Sequence, residues 1–188
     1  MRRVYYVDDD DDDGDAETPN VEPRPDSPAR RASVSLGNLK LTSLAFEDSG
    51  EIPRECGYKN GNKEPPLAVN GIPEKIDTLV LIMDDPDAMG AVGKVWLHWL
   101  EWNIIPNTLD YSFFDLSHRE DHFVGVNDFG EEGYGGPAPP DKRHTYIFKL
   151  YALDTTLILP DKSTKADVEK AMEGHIIEQT QLTGTYAP

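Results

Sequence analysis

The sequence predicts a strand-dominated β-sandwich with one short helix near its C-terminus. Residues 78–83 form a continuous apolar run, the pattern of a strand covered on both faces. Residues 145–153 alternate strictly, with Tyr146, Phe148, Leu150 and Ala152 on one face and Ile147, Lys149, Tyr151 and Leu153 on the other. Against these stands a single helix start, Ser163-Thr164-Lys165-Ala166-Asp167. One helix among many strands and long turn-rich connections argues against alternating β-α units.

In chain order, residues 1–32 read as a disordered acidic extension, because six aspartates at 8–13 are followed by a stretch rich in Pro, Glu, Asp and Ser with little apolar surface to offset ordering. Arg30-Arg31-Ala32-Ser33 has the form of a basic-directed kinase site, a four-residue pattern that chance readily supplies. Residues 33–188 are the folded domain. It opens with a partly alternating strand at 39–46, and turn-rich pieces with a Pro65-Pro66 pair then allow only short extended segments up to Pro73. Pro86 should end the strand at 78–83, which places Asp85 and Asp87 at its mouth. Residues 95–105 read as the next strand, with Trp96, His98, Leu100, Trp102 and Ile104 on one face by the period of two.

Residues 106–121 read as a loop and 122–126 as a short strand. Gly130, Gly133, Gly135 and Gly136 within seven positions call for positive φ or for close approach of a ligand to backbone amides. The helix is expected to space Val168, Met172 and Ile176 along one side, with Ser163 or Thr164 as its cap. Gly184 and Tyr186 fall in a short extended tail.

The 188 residues suit one domain, and 38% hydrophobic content is enough for a sizeable core. With 35 acidic and 18 basic residues the net charge is -17, so attraction to nucleic acid backbones or anionic lipid is not expected. A single cysteine, Cys56, has no intrachain partner, and with no histidine near it in sequence it reads as a structural thiol. No run approaches the ~20 apolar residues of a membrane span, and no signal-like segment opens the chain. The expected location is cytoplasmic.

Two histidines and two aspartates at strand ends beside a glycine-rich loop fit a small anion pocket. Imidazole N–H groups and loop amides would donate, carboxylates would set the imidazole tautomers, and Tyr146 would add a hydroxyl. A metal site built from Asp85, His98 and His144 is the sharper competitor, but the spacing lacks the compactness of zinc motifs. A paired-carboxylate hydrolase on Asp85 and Asp87 competes with a plain turn-capping role for both. No Gly-x-Ser-x-Gly elbow supports nucleophilic catalysis.

Asp85-Pro86-Asp87-Ala88, Trp96-x-His98-Trp99, Tyr134-Gly135-Gly136-Pro137-x-Pro139-Pro140, His144-x-Tyr146 and Tyr151-Ala152-Leu153-Asp154 stand in an order that closely resembles the phosphatidylethanolamine-binding protein (PEBP) family, nearest its bacterial and archaeal Raf-kinase-inhibitor-like branch. The resemblance covers about residues 35–187. It implies a Greek-key β-sandwich of two mostly antiparallel sheets with a short C-terminal helix, and a pocket for phosphate or a phospholipid head group. By the same resemblance Asp85, Asp87, His98, Gly135, Gly136, Pro137, His144 and Tyr146 are the ligand-binding positions, and Tyr186 matches a tyrosine that closes the pocket. Met89, Thr145 and Val69 depart from the family pattern, at places where it usually has a proline, an arginine and an aromatic residue.

The function implied is that of a non-enzymatic binding or regulatory protein without cofactor or metal. Its partners would be a small anionic ligand such as phosphate or a phosphoethanolamine-like group, and a kinase or protease client, with homodimerisation left open. The alternative is a hydrolase or lyase using His98 and His144 as acid and base, with or without a metal.

Overall fold

Eight consecutive buried residues, β4 (Thr78–Asp85), form the spine of the computed structural model, which describes residues 38–106 and 113–188. The acidic extension expected at 1–32 and the Arg30–Ser33 pattern lie outside the described residues. The strand continues, still buried, past the apolar run through Asp84 and Asp85 before Pro86 stops the ladder, because proline has no N–H to contribute.

Six strands form the larger sheet in the order β2-β9-β8-β4-β5-β7: β2 (Gly50–Glu51), β5 (Trp96–Ile104), β7 (Phe123–Val124), β8 (His144–Leu153) and β9 (Ile176–Tyr186) around β4. All of its pairs are antiparallel except β2 with β9. The smaller sheet has the order β1-β3-β6, from β1 (Lys40–Ser43), β3 (Leu67–Asn70) and β6 (Phe113–Asp115). β6 lies inside the stretch read as a loop from sequence; at three residues it is too short for its alternation to register.

Period-two geometry gives β4 its two faces. Leu79, Leu81 and Met83 join Trp99, Tyr146, Phe148 and Leu150 in a core shared with Leu41, Val69 and Phe114 of the smaller sheet. Val80 and Ile82 pack with Leu97, Leu100, Trp102 and Leu153 beneath Val168 and Met172 of α2 (Lys165–Met172), which follows the four-residue helix α1 (Met89–Val92) in chain order. Helix α2 begins on a capping box between Thr164 and Asp167. Asp84, buried on that side, accepts from Lys149 and Lys165, each at 2.7 Å, which ties the helix to the sheet.

Strict alternation along β5 does not hold, and this corrects the single face assigned to Trp96, His98, Leu100, Trp102 and Ile104. Met83 pairs with Trp99 while Asp84 pairs with Leu97, so His98 is the extra residue of a β-bulge. A second irregularity sets two residues, Trp102 and Asn103, opposite Val80, and Asn103 takes φ 57°. Trp99 and Ile104 consequently face the inter-sheet core, whereas Leu100 and Trp102 face the helix.

The C-terminal end also differs from expectation. Helix α2 stops at Met172, Gly174 turns the chain at φ 81°, and Ile176 begins β9, an eleven-residue strand paired with β8 along its full length. The β-branched residues Ile176, Ile177, Thr180, Thr183 and Thr185 carry that preference in the sequence. No helix among the described residues is long and apolar enough to cross a membrane.

Candidate functional site

The end of β4 is shaped by Asp85 itself. Its Oδ1 accepts from the Ala88 amide at 3.1 Å, capping the 3-10 turn Pro86–Ala88, with Pro86 supplying the preset φ of the first turn position. That leaves Oδ2 free to accept from His144 Nδ1 at 2.7 Å, where β8 begins. Asp87 takes no part in this pair: its Oδ2 accepts from the Thr145 amide at 2.8 Å and fastens the turn to β8 beyond the last β4 pairing. Capping and ligand orientation, alternatives in the sequence, are both served by Asp85, whereas Asp87 serves attachment.

The bulge in β5 turns His98 toward this cluster. Its Nδ1 donates to the Gly135 carbonyl at 2.5 Å, and its own carbonyl accepts from the Gly135 amide at 2.8 Å. With Nδ1 protonated in that bond, Nε2 presents a lone pair, 4.0 Å from Asp85 Oδ2. Burial pushes the His98 pKa below the usual imidazole value, against the opposing pull of the Gly135 carbonyl and Asp85. His98 is therefore neutral at neutral pH.

His144 is the opposite case. Burial disfavours its charge, but hydrogen bonds to Asp85 on Nδ1 and to Asp141 on Nε2, the latter at 2.9 Å, outweigh burial and raise its pKa. Both nitrogens must be protonated to donate to two carboxylates, so the ring is an imidazolium. Two imidazoles about one carboxylate thus hold different protonation states because their second partners differ: a neutral carbonyl for His98, a second carboxylate for His144.

These groups open onto a cavity of about 200 Å³. Asp85, His98 and His144 are its ionisable lining; Ala88, Ala91, Val92, Trp96, Phe129, Ala138 and Pro140 complete the wall. Phe129 stacks on Tyr58 at 4.0 Å and meets the edges of Trp96 and His98. Tyr146 packs against both imidazoles from the core, with ring centroids 5.1 Å from His98 and 6.5 Å from His144. Burial, followed by the nearby Asp85 charge, pushes the Tyr146 pKa up, so it stays a neutral phenol, and its hydroxyl is buried without a hydrogen-bond partner. The Trp96 indole N–H is likewise buried and unpartnered.

The glycine-rich loop departs from the role of amide donor. Gly130 and Gly133 take positive φ, at 84° and 85°. Gly135 and Gly136 do not; they are needed for close approach, but by the protein's own chain. A Cβ on Gly136 would lie 2.0 Å from the Cys56 carbonyl oxygen, and one on Gly135 would lie 2.6 Å from the Phe129 ring. The Gly136 amide already donates to Asn62 Oδ1 at 2.7 Å, the Gly135 amide to His98, and the Pro137 carbonyl accepts from Tyr58. Neither glycine amide is free to meet an anion, and the Gly135–Pro137 backbone instead clamps residues 56–62 behind the cavity.

Tyr186 also lies off the cavity wall. Its strand pairs it with His144, but its hydroxyl donates to the Arg54 carbonyl at 3.0 Å and accepts from Asn60 at 2.8 Å, beneath the Arg54 guanidinium. Cys56, buried beside that loop, is pushed up to about 11 by burial and behaves as a structural thiol. Asp141, Trp96 and Phe129 are functional positions that the sequence pattern does not mark as such. Asp141, three residues before His144, is the one with a local signal.

Among the described residues no group of three His, Cys, Asp or Glu side chains is placed to hold a metal ion. The nitrogens of His144 point into carboxylates and Nδ1 of His98 into a carbonyl, an arrangement of internal hydrogen bonds that leaves His98 Nε2 alone as an imidazole lone pair facing Asp85.

A two-sheet β protein with an Asp-His-His cluster at the mouth of its central strand is the class that fold and site define. The phosphatidylethanolamine-binding protein family model matches residues 42–187, and the chain belongs to that family. It is 43% identical over 151 residues to a UPF0098 protein of Methanothermobacter thermautotrophicus, covering 79% of this chain and 98% of that one. A UPF0098 protein of Pyrococcus horikoshii is 40% identical over 156 residues, covering 79% and 76%. Of solved structures, a Chlamydia trachomatis protein described as a putative PEBP homologue matches with TM-score 0.71 and 36% identity over 79% of this chain and 96% of that one. Escherichia coli YbcL, described as a member of the mammalian PEBP family, matches with TM-score 0.69 and 28% identity, covering 79% and 97%.

Proposed function

We propose that the cavity is a non-enzymatic binding site for a small anion of the phosphate class, free or as a phospholipid head group. The observation that supports this most directly is the His144 imidazolium on the cavity wall, held by the buried Asp85, in a space of about 200 Å³ that suits a head group more than a larger metabolite. The unpartnered indole N–H of Trp96, a residue of the cavity wall, is a further donor. Asp85, whose two oxygens are both engaged, orients His144 and caps the turn. Regulation of a kinase or protease client in the cytoplasm belongs to the same reading by family analogy alone.

Calorimetric titration with inorganic phosphate and with O-phosphoethanolamine tests the site. Wild type should bind, and His144→Ala should weaken binding at least about tenfold, the loss of a charge-assisted contact; His98→Ala should weaken it through loss of the Nε2 lone pair, which can accept only from a ligand O–H such as that of a monoprotonated phosphate. Wild-type affinity in both variants, each with a retained thermal transition, removes the proposed site. A second reading draws on the pairing of a neutral imidazole with an imidazolium across one cavity, which is also what general acid–base catalysis uses. Turnover of any member of a phosphoester panel, abolished by either substitution, would favour that hydrolase or lyase over binding alone.

A further inference from the structure

We propose that Asp141 is an internal competitor for the ligand: its carboxylate occupies the outward-facing donor of His144, and an incoming anion binds by displacing it. The inference rests on the anion-pocket reading and adds to it the residue that sets affinity.

Three features carry it. First, donors with positive charge are scarce. Among the described residues lining the cavity, His144 alone is cationic; no lysine or arginine reaches the wall, and the loop amides are spent on Asn62 and His98. Second, the two nitrogens of His144 are held very differently. Nδ1 donates to Asp85, which is buried and doubly engaged, so that bond is part of the core. Nε2 donates to Asp141, whose side chain is 53% exposed, on the short turn leading into β8. Because more than half of the Asp141 side chain already faces solvent, swinging it outward exchanges its bond to His144 for water at little cost in buried surface. Third, charge favours the exchange. With Asp141 in place the cluster holds two carboxylates against one imidazolium, a net negative site that repels an anion. With Asp141 swung out, the Asp85–His144 pair is neutral and presents one free N–H. The protein's own carboxylate thus stands in for a carboxylate or phosphate oxygen at the position a ligand oxygen would take.

Asp141 is accordingly a specificity-determining residue, and its removal should strengthen binding. Asp141→Ala should bind inorganic phosphate about fivefold more tightly than wild type near pH 6, the order expected for relieving a solvent-exposed ion pair. Asp141→Asn, which keeps a weaker acceptor without the charge, should fall between. Calorimetry with inorganic phosphate reads the affinity, a thermal melt reads folding, and imidazole NMR reads the His144 ring, which should titrate at lower pH in Asp141→Ala. A carboxylate with a merely structural role predicts a lower melting temperature with unchanged or weaker phosphate binding, and that result overturns the proposal while leaving the pocket intact. If neither wild type nor Asp141→Ala binds phosphate, the pocket reading falls and the role of Asp141 with it.

Discussion

Replacing Asp85 with asparagine tests the charge about which the site is arranged. Asparagine has the same shape, so its Oδ1 can still cap the turn by accepting from the Ala88 amide, now 3.1 Å from Asp85 Oδ1. Its amide nitrogen then meets His144 Nδ1, where a carboxylate oxygen accepts at 2.7 Å. Two donors cannot bond each other, so the ring must release the Nδ1 proton and donate through Nε2 to Asp141 alone. Removing one partner of a buried ion pair costs about 3–5 kcal/mol when the other stays charged. His144 can deprotonate instead, and Asp141 remains, so the expected cost is lower, about 2 kcal/mol near pH 6. It should shrink toward about 1 kcal/mol at alkaline pH, above the raised pKa of His144, where the wild-type ring also loses its charge. Asp85→Ala removes the cap as well and should cost about 1 kcal/mol more than Asp85→Asn at both pH values. Urea unfolding at the two pH values, with unchanged slope, measures these differences. Equal cost of Asp85→Asn at both, or equal cost of the two substitutions, would refute the ionic account of this pair.

Two further outcomes follow from the same geometry. His98 and His144 link stability to pH in opposite senses. The folded pKa of His98 lies below its ordinary 6.5 because of burial, so the folded state binds fewer protons and stability is lost as pH falls from that value through the lowered one. For His144, burial is outweighed by Asp85 and Asp141, its folded pKa lies above 6.5, and its contribution is complete below that value and lost as pH rises through the raised one. Melting temperature should therefore peak near pH 6.5, with the alkaline limb flattened in His144→Asn and the acid limb in His98→Asn; a profile unchanged by both would contradict the assignment. Separately, Gly136→Ala forces a methyl to within 2.0 Å of the Cys56 carbonyl oxygen and 2.8 Å of the Tyr58 amide nitrogen, both backbone atoms that cannot rotate away. The loss should be about 3 kcal/mol, or about 6–12 °C in melting temperature for a chain of this length, and a drop under about 3 °C would show that residues 56–62 are not clamped as described.

Much of this architecture is legible in the amino-acid sequence. Strands β4 and β8 follow from a continuous apolar run and a strict alternation, both local consequences of burying two faces. Asp85, His98 and His144 stand out together because each falls at a strand end beside apolar surroundings, and all three line one cavity. The short strand β6 and the long β9 were missed for different reasons. Three residues carry no measurable period, whereas the polar positions of β9 cover a sheet margin and mask its β-branched pattern.

What the amino-acid sequence determined by itself was periodicity and chemistry: which segments extend, which faces are apolar, and which ionisable groups stand near the strand ends. Tertiary structure decided how each polar atom is spent. A bulge, set by β4–β5 register and not by local sequence, turns His98 toward Asp85. Contacts between residues 56–62 and the glycine loop consume amides that seemed free for a ligand, and contact between Tyr186 and Arg54 draws that hydroxyl away from the cavity. The different charges of two histidines beside one aspartate follow from their second partners, Gly135 for His98 and Asp141 for His144. Hydrogen-bond capacity is limited for every donor and acceptor, and only the folded arrangement shows where each was used.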